Sequence, residues 1–239
     1  MLKDYSDCAV VIQARHSSAR LPGKVLMDLA GMPLVEFVYR RCKTSAVTKV
    51  VVATSTEKDD DQVYNFCRSH SLDVFRGSLN NVLERYIRAA EGLGVKYLVR
   101  VCADSPFVET SAFSVLLDAL KDRGFDYAAI DKKTTAAGFI CEAFTLAAAK
   151  KAAGLAVDQE DLEHVTRYFI NHAEEFKTGY FDLGLGADSM NGSKLTVDFP
   201  EDLENARKIA KVLKGDFTFR ARDVLEIADK QLLGRRRAL

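Results

Sequence analysis

Short apolar runs alternate with amphipathic stretches through the first part of the chain. The runs at residues 8–12, 49–54 and 95–101 have the length of buried strands, and β-branched residues are frequent in them. The stretches between them carry apolar residues at helical spacing, and the connections are short. Strands that alternate with helices in this way form a mainly parallel sheet covered by helices on both faces. The pattern therefore predicts an α/β fold.

The predicted elements continue into a less regular second half. Further strands are predicted at 73–75, 126–130, 177–183 and 195–197, and residues 139–141 are expected to be a short extended piece. Helices are predicted at 32–43, 59–69, 143–153, 158–172, 200–214 and 220–233. Another helix is expected to be capped by Ser78 and ended by Gly92 and Gly94, and one more to run from Thr110 or Ser111 to Gly124.

The first predicted strand ends in a cationic loop, and together they read VVIQARHSSARLPGK over residues 10–24. Arg15, Arg20 and Lys24 stand there among small and hydroxyl-bearing residues. Arginine offers a planar fork of donors to phosphate oxygens, and lysine offers a mobile point charge. Such a loop at the carboxyl edge of a sheet suits a polyphosphate. The alternative from this stretch alone is a solvated basic loop.

Two aspartates follow predicted strands. Asp104 comes after the strand VKYLVRV, and Asp198 comes after KLTV. Strand ends in a sheet built from crossovers meet at one edge, where Arg15 and Lys24 also emerge. Two carboxylates beside a cationic loop suit a magnesium–triphosphate site. Taken singly, each aspartate could instead be a turn or cap residue.

The composition narrows the classes of partner. With 239 residues and 48% hydrophobic content, the chain can bury a substantial core, and its formal net charge of zero argues against a general nucleic-acid binder. The basic tail Arg235–Arg237 is short and terminal. Neither an apolar leader nor a membrane span is evident, so we expect a cytoplasmic protein without a membrane partner. The five cysteines form no C-x-x-C pair and predict reduced core thiols.

Several motifs resemble one family. The stretches QARHSSARLPGKVLMDLAGMPLVE, VVVATS, VFRGSLNNVLERY, VRVCADSPFVE, EHVTRYF and VDFPEDLENARKIA occur in order and cover the chain to about Lys214. They are similar to the cytidylyltransferases that activate acidic sugars. The branch named for spore coat polysaccharide biosynthesis protein F is the most similar, and acylneuraminate and 3-deoxy-manno-octulosonate cytidylyltransferases are relatives.

The resemblance implies a fold and a set of partners. The implied fold is a three-layer α/β/α sandwich with a Rossmann-like, mainly parallel sheet, the nucleotide-diphospho-sugar transferase fold. A single domain over 1–239 would comprise a nucleotide-binding half (1–130), a sugar-binding and dimerisation half (131–215) and a C-terminal helix (216–239). CTP and a sugar would be the substrates, Mg²⁺ the cofactor, and the protein a homodimer.

The resemblance also implies residue roles. The catalytic residues would be Arg15, Lys24, Asp104 and Asp198, with the two aspartates binding the metal. The nucleotide would be bound by Gln13, Ala14, Arg15, Ser17, Arg20, Lys24, Arg76 and Gly77. The sugar would be bound by Glu142 and His164.

The implied reaction is attack by a sugar hydroxyl on the α-phosphorus of CTP, with release of pyrophosphate. The general base is left open between Asp198 and activation of the hydroxyl by the metal. Ala103, His16, Arg167 and Asn81 depart from the common family pattern, which affects specificity more than chemistry.

Three other functions compete with this one. A glycosyltransferase of the same fold would use a nucleotide sugar and release no pyrophosphate. A non-catalytic nucleotide- or sugar-binding protein is disfavoured because Arg15, Lys24, Asp104 and Asp198 are all present. A P-loop NTPase is disfavoured because the first glycine of its motif is absent and Val25 replaces the serine or threonine that would hold magnesium.

Overall fold

A seven-stranded sheet forms the middle layer of the computed structural model, which describes residues 3–185 and 194–232. The strands are, in chain order, β1 (Cys8–Gln13), β2 (Asp28–Leu29), β3 (Met32–Pro33), β4 (Lys49–Ser55), β5 (Val74–Gly77), β6 (Tyr97–Cys102), β7 (Tyr127–Ile130), β8 (Glu142–Thr145) and β9 (Thr178–Phe181). Strands β2 and β3 form a separate two-stranded ribbon. The main sheet has the order β5-β4-β1-β6-β8-β7-β9, and β8 alone runs antiparallel to its neighbours.

Helices cover both faces of this sheet. They are α1 (Leu34–Lys43), α2 (Asp61–Ser69), α3 (Val82–Leu93), α4 (Ser111–Arg123), α5 (Leu146–Leu155), α6 (Gln159–Glu163), α7 (Arg167–Asn171), α8 (Pro200–Leu213) and α9 (Ala221–Gln231). Apolar residues of α1, α2, α4, α8 and α9 belong to one buried cluster, and those of α3, α5 and α7 belong to the other. The predicted α/β/α architecture with a mainly parallel sheet is confirmed.

Strand β1 shows why the two clusters meet at the sheet. Val10 and Ile12 belong to one cluster, whereas Ala9 and Val11 belong to the other, and all four are fully buried. Successive side chains of a strand point to opposite faces, so a strand buried on both sides must be apolar throughout. A polar residue can therefore be accommodated only at the end of the strand, and the last residue of β1 is Gln13.

The predicted helix at 143–153 is wrong at its start. Residues 142–145 form β8, which pairs antiparallel with both β6 and β7, and the helix begins only at Leu146. The Thr145 side chain accepts a hydrogen bond from the Ala148 N–H and caps α5. Alanine-rich sequence favours a helix locally, but pairing on both sides overrides that preference.

The predicted helix at 158–172 is also wrong, because it is two short helices. Asp158 caps α6, and the chain leaves helical geometry at His164 before α7 begins. Thr166, between the two helices, is buried and donates its hydroxyl to Glu142 at 3.0 Å. That contact belongs to the tertiary structure, and no periodicity reveals it.

Other boundaries also differ. Met32 and Pro33 form β3 and do not open α1, and Asn81, not Ser78, caps α3 by accepting from the Glu84 N–H at 2.8 Å. Residues 195–197 form no strand. The predicted end of α3 at Gly94 and that of α4 at Gly124 are confirmed, since both glycines adopt left-handed geometry there.

All five cysteines are free thiols, and Cys102 is the one that is not fully buried. Within residues 3–185 and 194–232, no helix has the length and apolar character needed to cross a bilayer. The basic tail Arg235–Arg237 lies outside the described residues. The division into a nucleotide half and a sugar half stays a prediction.

Candidate active site

Three segments converge at the carboxyl edge of β1 and β6. Gln13, the last residue of β1, stands in register with Cys102, the last residue of β6. The Val197 N–H donates to the Asp104 carbonyl oxygen at 2.8 Å, which fixes the segment before α8 beside the end of β6. Asp104 and Asp198 are thereby brought to the same edge, as the sequence predicted.

Lys24 lies between these two aspartates. Its Nζ donates to Asp104 Oδ2 at 2.6 Å, to the Val197 carbonyl oxygen at 2.7 Å and to Asp198 Oδ1 at 3.2 Å. The side chain of Lys24 is only 9% exposed. Its three contacts equal the donor capacity of an ammonium group. We call Lys24, Asp104 and Asp198 the edge cluster.

Further cations surround Asp198. Arg20 Nη2 lies 2.6 Å from Asp198 Oδ1, and Lys194 Nζ lies 3.2 Å from Asp198 Oδ2. Burial by itself would raise the pKa of Asp198, but the hydrogen bond and charge of Lys24, assisted by Lys194, outweigh it and hold that pKa below its ordinary value. Asp198 is therefore a carboxylate throughout the neutral range.

Asp202 holds the backbone of this segment. Its Oδ2 accepts from the N–H groups of Asp198 and Phe199 at 3.0 and 2.9 Å, at the start of α8. Lys194 lies 2.8 Å from the same oxygen. An acid in the first turn is favourable at the positive end of the helix dipole. The PEDL stretch thus both starts a helix and orients the preceding aspartate.

The cationic loop is anchored beneath by Asp60. This buried carboxylate accepts from the His16 N–H at 2.6 Å and from the Ser55 N–H at 3.0 Å, which joins the loop to the end of β4. Gly23 closes the loop in left-handed geometry, with φ of +72°, and a Cβ there would stand 3.0 Å from the His16 ring. The loop therefore needs glycine at this position.

Arg15, in the same loop as Lys24, pairs with a residue outside the edge cluster. Its Nη1 is 3.4 Å from Oε1 of Glu163, at the end of α6, and both side chains are about two-fifths exposed at 41% and 40%. A pair this long and this exposed binds weakly. Arg15 is consequently available to a stronger anion.

A cleft of about 280 Å³ opens between these groups. It is lined by Gln13, Arg15, Ser18, Ala19, Arg20, Lys24, Val25, Cys102, Ala103 and Asp104. Gln13 Oε1 is buried and has no hydrogen-bond partner in the described part of the chain. A buried polar atom without a partner is costly, so this oxygen marks a position for a ligand donor. Ser17 is exposed.

The oxygen atoms of the edge cluster fit a divalent cation. Two carboxylates and one carbonyl oxygen converge on the Lys24 ammonium, which is a stand-in for a bound cation. Oxygen donors of this kind are the ligands that Mg²⁺ accepts, with one or two carboxylates supplemented by phosphate oxygens and water. The predicted magnesium ligands are therefore close together and of suitable chemistry.

Comparison with known proteins agrees with this geometry. The family model described as cytidylyltransferase matches residues 9–230. Spore coat polysaccharide biosynthesis protein SpsF of Bacillus subtilis is 30% identical over 210 residues, which covers 85% of this chain and 86% of that protein. The chain belongs to the cytidylyltransferase family.

Solved structures show the same fold. A cytidylyltransferase from Leptospira borgpetersenii superposes with a TM-score of 0.85 at 27% identity, covering 94% of each chain. A CMP:2-keto-3-deoxy-manno-octonic acid synthetase complexed with CTP superposes with a TM-score of 0.62 at 19% identity, covering 86% of this chain and 98% of the other. The second likeness concerns the fold alone.

Arg76 and Gly77, the residues predicted around the base, and Ala14 do not belong to the lining of the cleft described above. Arg76 is tied to the protein through the Ser55 and Glu57 carbonyl oxygens at 2.8 and 3.1 Å and through Asp61 at 2.7 Å. Gly77 permits close packing, because a Cβ there would stand 2.9 Å from Cγ of Arg85. Ala14 is buried in the loop itself.

Sequence reasoning missed Arg85. Its side chain is fully buried on α3, and Nη1 of its guanidinium group donates to the Ser78 carbonyl oxygen at 3.1 Å. Its Nε and Nη2 have no partner within residues 3–185 and 194–232. Burial lowers the pKa of Arg85, and the charges of Asp60 and Arg15 act on it from nearby. The only local signal was its place in VFRGSLNNVLERY. Lys194 was missed as well, since nothing local marks it.

The predicted sugar residues are placed differently from one another. Glu142 is bound by Arg100 Nη1, by the Tyr127 hydroxyl at 2.7 Å and by Thr166. Burial would raise the pKa of Glu142, but Arg100 and the hydroxyl donors outweigh it, so this pKa lies below its ordinary value. His164 is exposed at the end of α6.

A second cavity, of about 340 Å³, has Glu142 in its wall. It is lined by Tyr127, Ala129, Ile130, Asp131, Lys132, Lys133, Ile140, Glu142, Ile170 and Tyr180. Seven of these ten residues belong to the half at 131–215 that the sequence assigns to the sugar, and Tyr127, Ala129 and Ile130 belong to the end of the other half. Apolar walls with a few polar groups are typical of small-molecule sites.

Proposed function

We propose that the protein transfers CMP from CTP to a hydroxyl group of a sugar and releases pyrophosphate. The observation that carries this proposal is the edge cluster together with Arg15 and Arg20. Two aspartates from separate segments and three cations from one loop meet beside one cleft. Phosphoryl and nucleotidyl transfer require positioning and charge stabilisation more than covalent help from the protein.

The cations have a direct role in this proposal. Arg15, Arg20 and Lys24 bind the phosphates and hold the pyrophosphate as it leaves. Gln13 is the candidate for a contact with the nucleoside, because it lines the cleft and its buried Oε1 has no partner among the described residues. Asp104 and Asp198 would hold Mg²⁺, which when bound would stabilise the negative charge that develops on the phosphate oxygens.

We assign Asp198 to the metal and not to the role of general base. A good base has a pKa near the working pH. The pKa of Asp198 lies below its ordinary value because burial is outweighed by Lys24 and Lys194. Such a carboxylate accepts protons poorly.

We propose an acidic sugar as the acceptor, bound by the half of the chain at 131–215. The cavity beside Glu142 carries Lys132 and Lys133 in its lining, and ammonium groups suit a sugar carboxylate. Family membership and the motifs shared with relatives that activate acidic sugars support the same choice. His164 and the residues around this cavity are the candidates for sugar contacts.

The experiment begins with thermal melting in the presence of CTP, UTP, GTP or ATP, each with and without Mg²⁺. A ligand at about one hundred times its dissociation constant adds roughly 2.7 kcal/mol to the unfolding free energy, which is readily detected. We expect a magnesium-dependent rise with CTP alone. If the melting temperature rises with another nucleotide instead, that nucleotide takes the place of CTP as the proposed substrate. If it rises with no nucleotide, the proposal is contradicted.

Pyrophosphate release across a panel of sugars then tests the reaction. The panel pairs each acidic sugar with its carboxyl-reduced counterpart. We expect release with an acidic member and none with its reduced partner. A glycosyltransferase would be favoured if the protein binds a nucleotide sugar but releases no pyrophosphate from CTP with any sugar of the panel.

We also propose that the protein is a cytoplasmic homodimer that pairs through the half at 131–215. Ile170 and Tyr180 are 40% and 52% exposed beside the edge strand β9, where a second copy could cover them. Light scattering at micromolar concentration checks the dimer, and a monomer mass would contradict it.

A further inference from the structure

Lys24 has no free hydrogen-bonding capacity in this structure. Its ammonium donates to Asp104, Asp198 and the Val197 carbonyl oxygen, and its side chain is almost wholly withdrawn from solvent. A phosphate-binding lysine that waits for its ligand would be expected to reach into the cleft with donors to spare. This lysine instead donates to one oxygen of each aspartate assigned to the metal, and its third donor is taken by the Val197 carbonyl oxygen.

Ammonium and metal cannot share these oxygen atoms in the observed arrangement. Magnesium requires its ligands at about 2.0–2.1 Å in near-octahedral geometry. An ion that close to Asp104 Oδ2 and Asp198 Oδ1 would stand against the ammonium that now contacts both of them. Arg20 and Lys194 add two more positive charges around Asp198, which further disfavours a divalent cation.

We propose that Lys24 is the resident cation of the two-aspartate site and competes with the divalent cation for it. Without nucleotide, Lys24 neutralises Asp104 and Asp198 and keeps the metal affinity low. Nucleotide phosphates offer the ammonium other anionic partners, so Lys24 leaves the aspartates as the phosphates arrive. The divalent cation therefore binds together with the nucleotide and not before it.

This inference rests on the proposed function in one respect, the assignment of the two aspartates to a metal. Its physical basis is a long, flexible side chain that carries a point charge, which can exchange one set of oxygen partners for another. Because the phosphates draw Lys24 away from the aspartates, the binding of nucleotide and the binding of metal are coupled by a free energy. Such coupling must be reciprocal. The nucleotide should strengthen metal binding by the same factor by which the metal strengthens nucleotide binding.

The test is a Mn²⁺ titration that measures free Mn²⁺ by electron paramagnetic resonance, with no nucleotide and no turnover. We expect Lys24→Met to bind Mn²⁺ about tenfold or more tightly than the wild type does, a factor typical of such coupling. Lys24→Gln, which keeps amide donors but loses the charge, should lie between the two. Lys24→Met with Asp104→Asn should lose the gain.

Lys194→Met is the matched control. Lys194 also contacts Asp198, at 3.2 Å, but it does not contact Asp104 and does not lie between the carboxylates. Removal of this charge should strengthen Mn²⁺ binding by less than Lys24→Met does. An equal gain in both variants would show a general effect of charge and would overturn the competition.

Two further results separate this inference from the proposed function. In the wild type, CTP should tighten Mn²⁺ binding, and in Lys24→Met that effect of CTP should shrink. The inference is overturned if Lys24→Met and Lys24→Gln, shown to be folded by circular dichroism, bind Mn²⁺ no more tightly than the wild type without nucleotide. Absence of any nucleotide effect on melting would instead contradict the proposed function, since the titration without nucleotide does not depend on which nucleotide binds.

Discussion

Two charged clusters lie close to the same edge of the sheet and differ in how they are held. In the edge cluster, a loop lysine contacts two aspartates, one after β6 and one before α8. The other cluster, here called the sheet cluster, consists of Arg100, Glu142, Tyr127 and Thr166. Arg100 and Glu142 stand in register on adjacent strands, β6 and β8. Both clusters pair opposite charges, but only the first can exchange its partners.

The difference comes from where the cations are attached. Arg100 projects from a central strand, and Glu142 takes donors from three neighbours, so neither can move without breaking the sheet's packing. Lys24 stands at the end of a loop on a flexible stem, beside a cleft. An ion pair held between two neighbouring strands stabilises the sheet, whereas an ion pair of a loop lysine can give way to a ligand.

The largest expected effect concerns the edge cluster. Asp104→Asn should reduce turnover by about 10²–10³-fold, because a charge that stabilises the transition state is lost. Its melting temperature should stay close to that of the wild type, since Asp104 is part-exposed. Pyrophosphate release and thermal melting measure the two quantities. If turnover is unchanged, Asp104 has no role in the reaction.

The sheet cluster should show the opposite behaviour. Glu142→Ala should lower the unfolding free energy by about 3 kcal/mol, because it leaves Arg100 buried without its partner. Urea unfolding measures this. The double variant Arg100→Met, Glu142→Leu should recover most of the loss, as apolar replacement of both partners is often tolerated. If Glu142→Ala is as stable as the wild type, the cluster is not structural.

Acid should affect the sheet cluster through Glu142. Its pKa is lowered on folding, because Arg100, Tyr127 and Thr166 outweigh burial. Its contribution to stability is thus fully present above about pH 5 and is lost as the pH falls through the folded-state value. Urea midpoints between pH 7 and pH 3 should fall less steeply in Glu142→Gln than in the wild type. Parallel curves would contradict this assignment.

The loop geometry behind the edge cluster can be tested at Gly23. Gly23→Ala should cost about 1–2 kcal/mol, since left-handed geometry disfavours a side chain and the His16 ring stands in the way. Gly31→Ala is the control, because Gly31 also has a positive φ, +88°, but no atom of the described residues lies within 4 Å of the place that its Cβ would take. A smaller loss at Gly23 than at Gly31 would show that the loop adapts.

The smallest stability effect is expected at Glu163. Glu163→Gln should change the unfolding free energy by less than about 1 kcal/mol, because its pair with Arg15 is exposed. CTP binding should become tighter, since Arg15 loses a competing anion. Isothermal titration with Glu160→Gln as the control on the same helix measures this. Weaker binding of CTP would show that Glu163 supports the site.

The sequence by itself determined the architecture and the composition of the edge cluster. Alternating strand and helix patterns predicted the parallel sheet, and the rule that strand ends share an edge brought Asp104 to the loop that carries Lys24. Asp198 lies at the predicted edge although residues 195–197, just before it, form no strand. Helix ends at Gly94 and Gly124 followed from local chemistry alone. These features depend on interactions within a few residues or on a topological rule, so they can be read without coordinates.

Only the tertiary structure decided the rest. The AFT stretch of β8 is a strand because β6 and β7 pair with it, although its alanine-rich continuation favours a helix. Arg85 is buried with two donors that lack a partner in residues 3–185 and 194–232, and Lys24 contacts both Asp104 and Asp198, residues far from it in the chain. Burial and pairing of this kind arise from long-range packing, which local propensity and spacing do not encode.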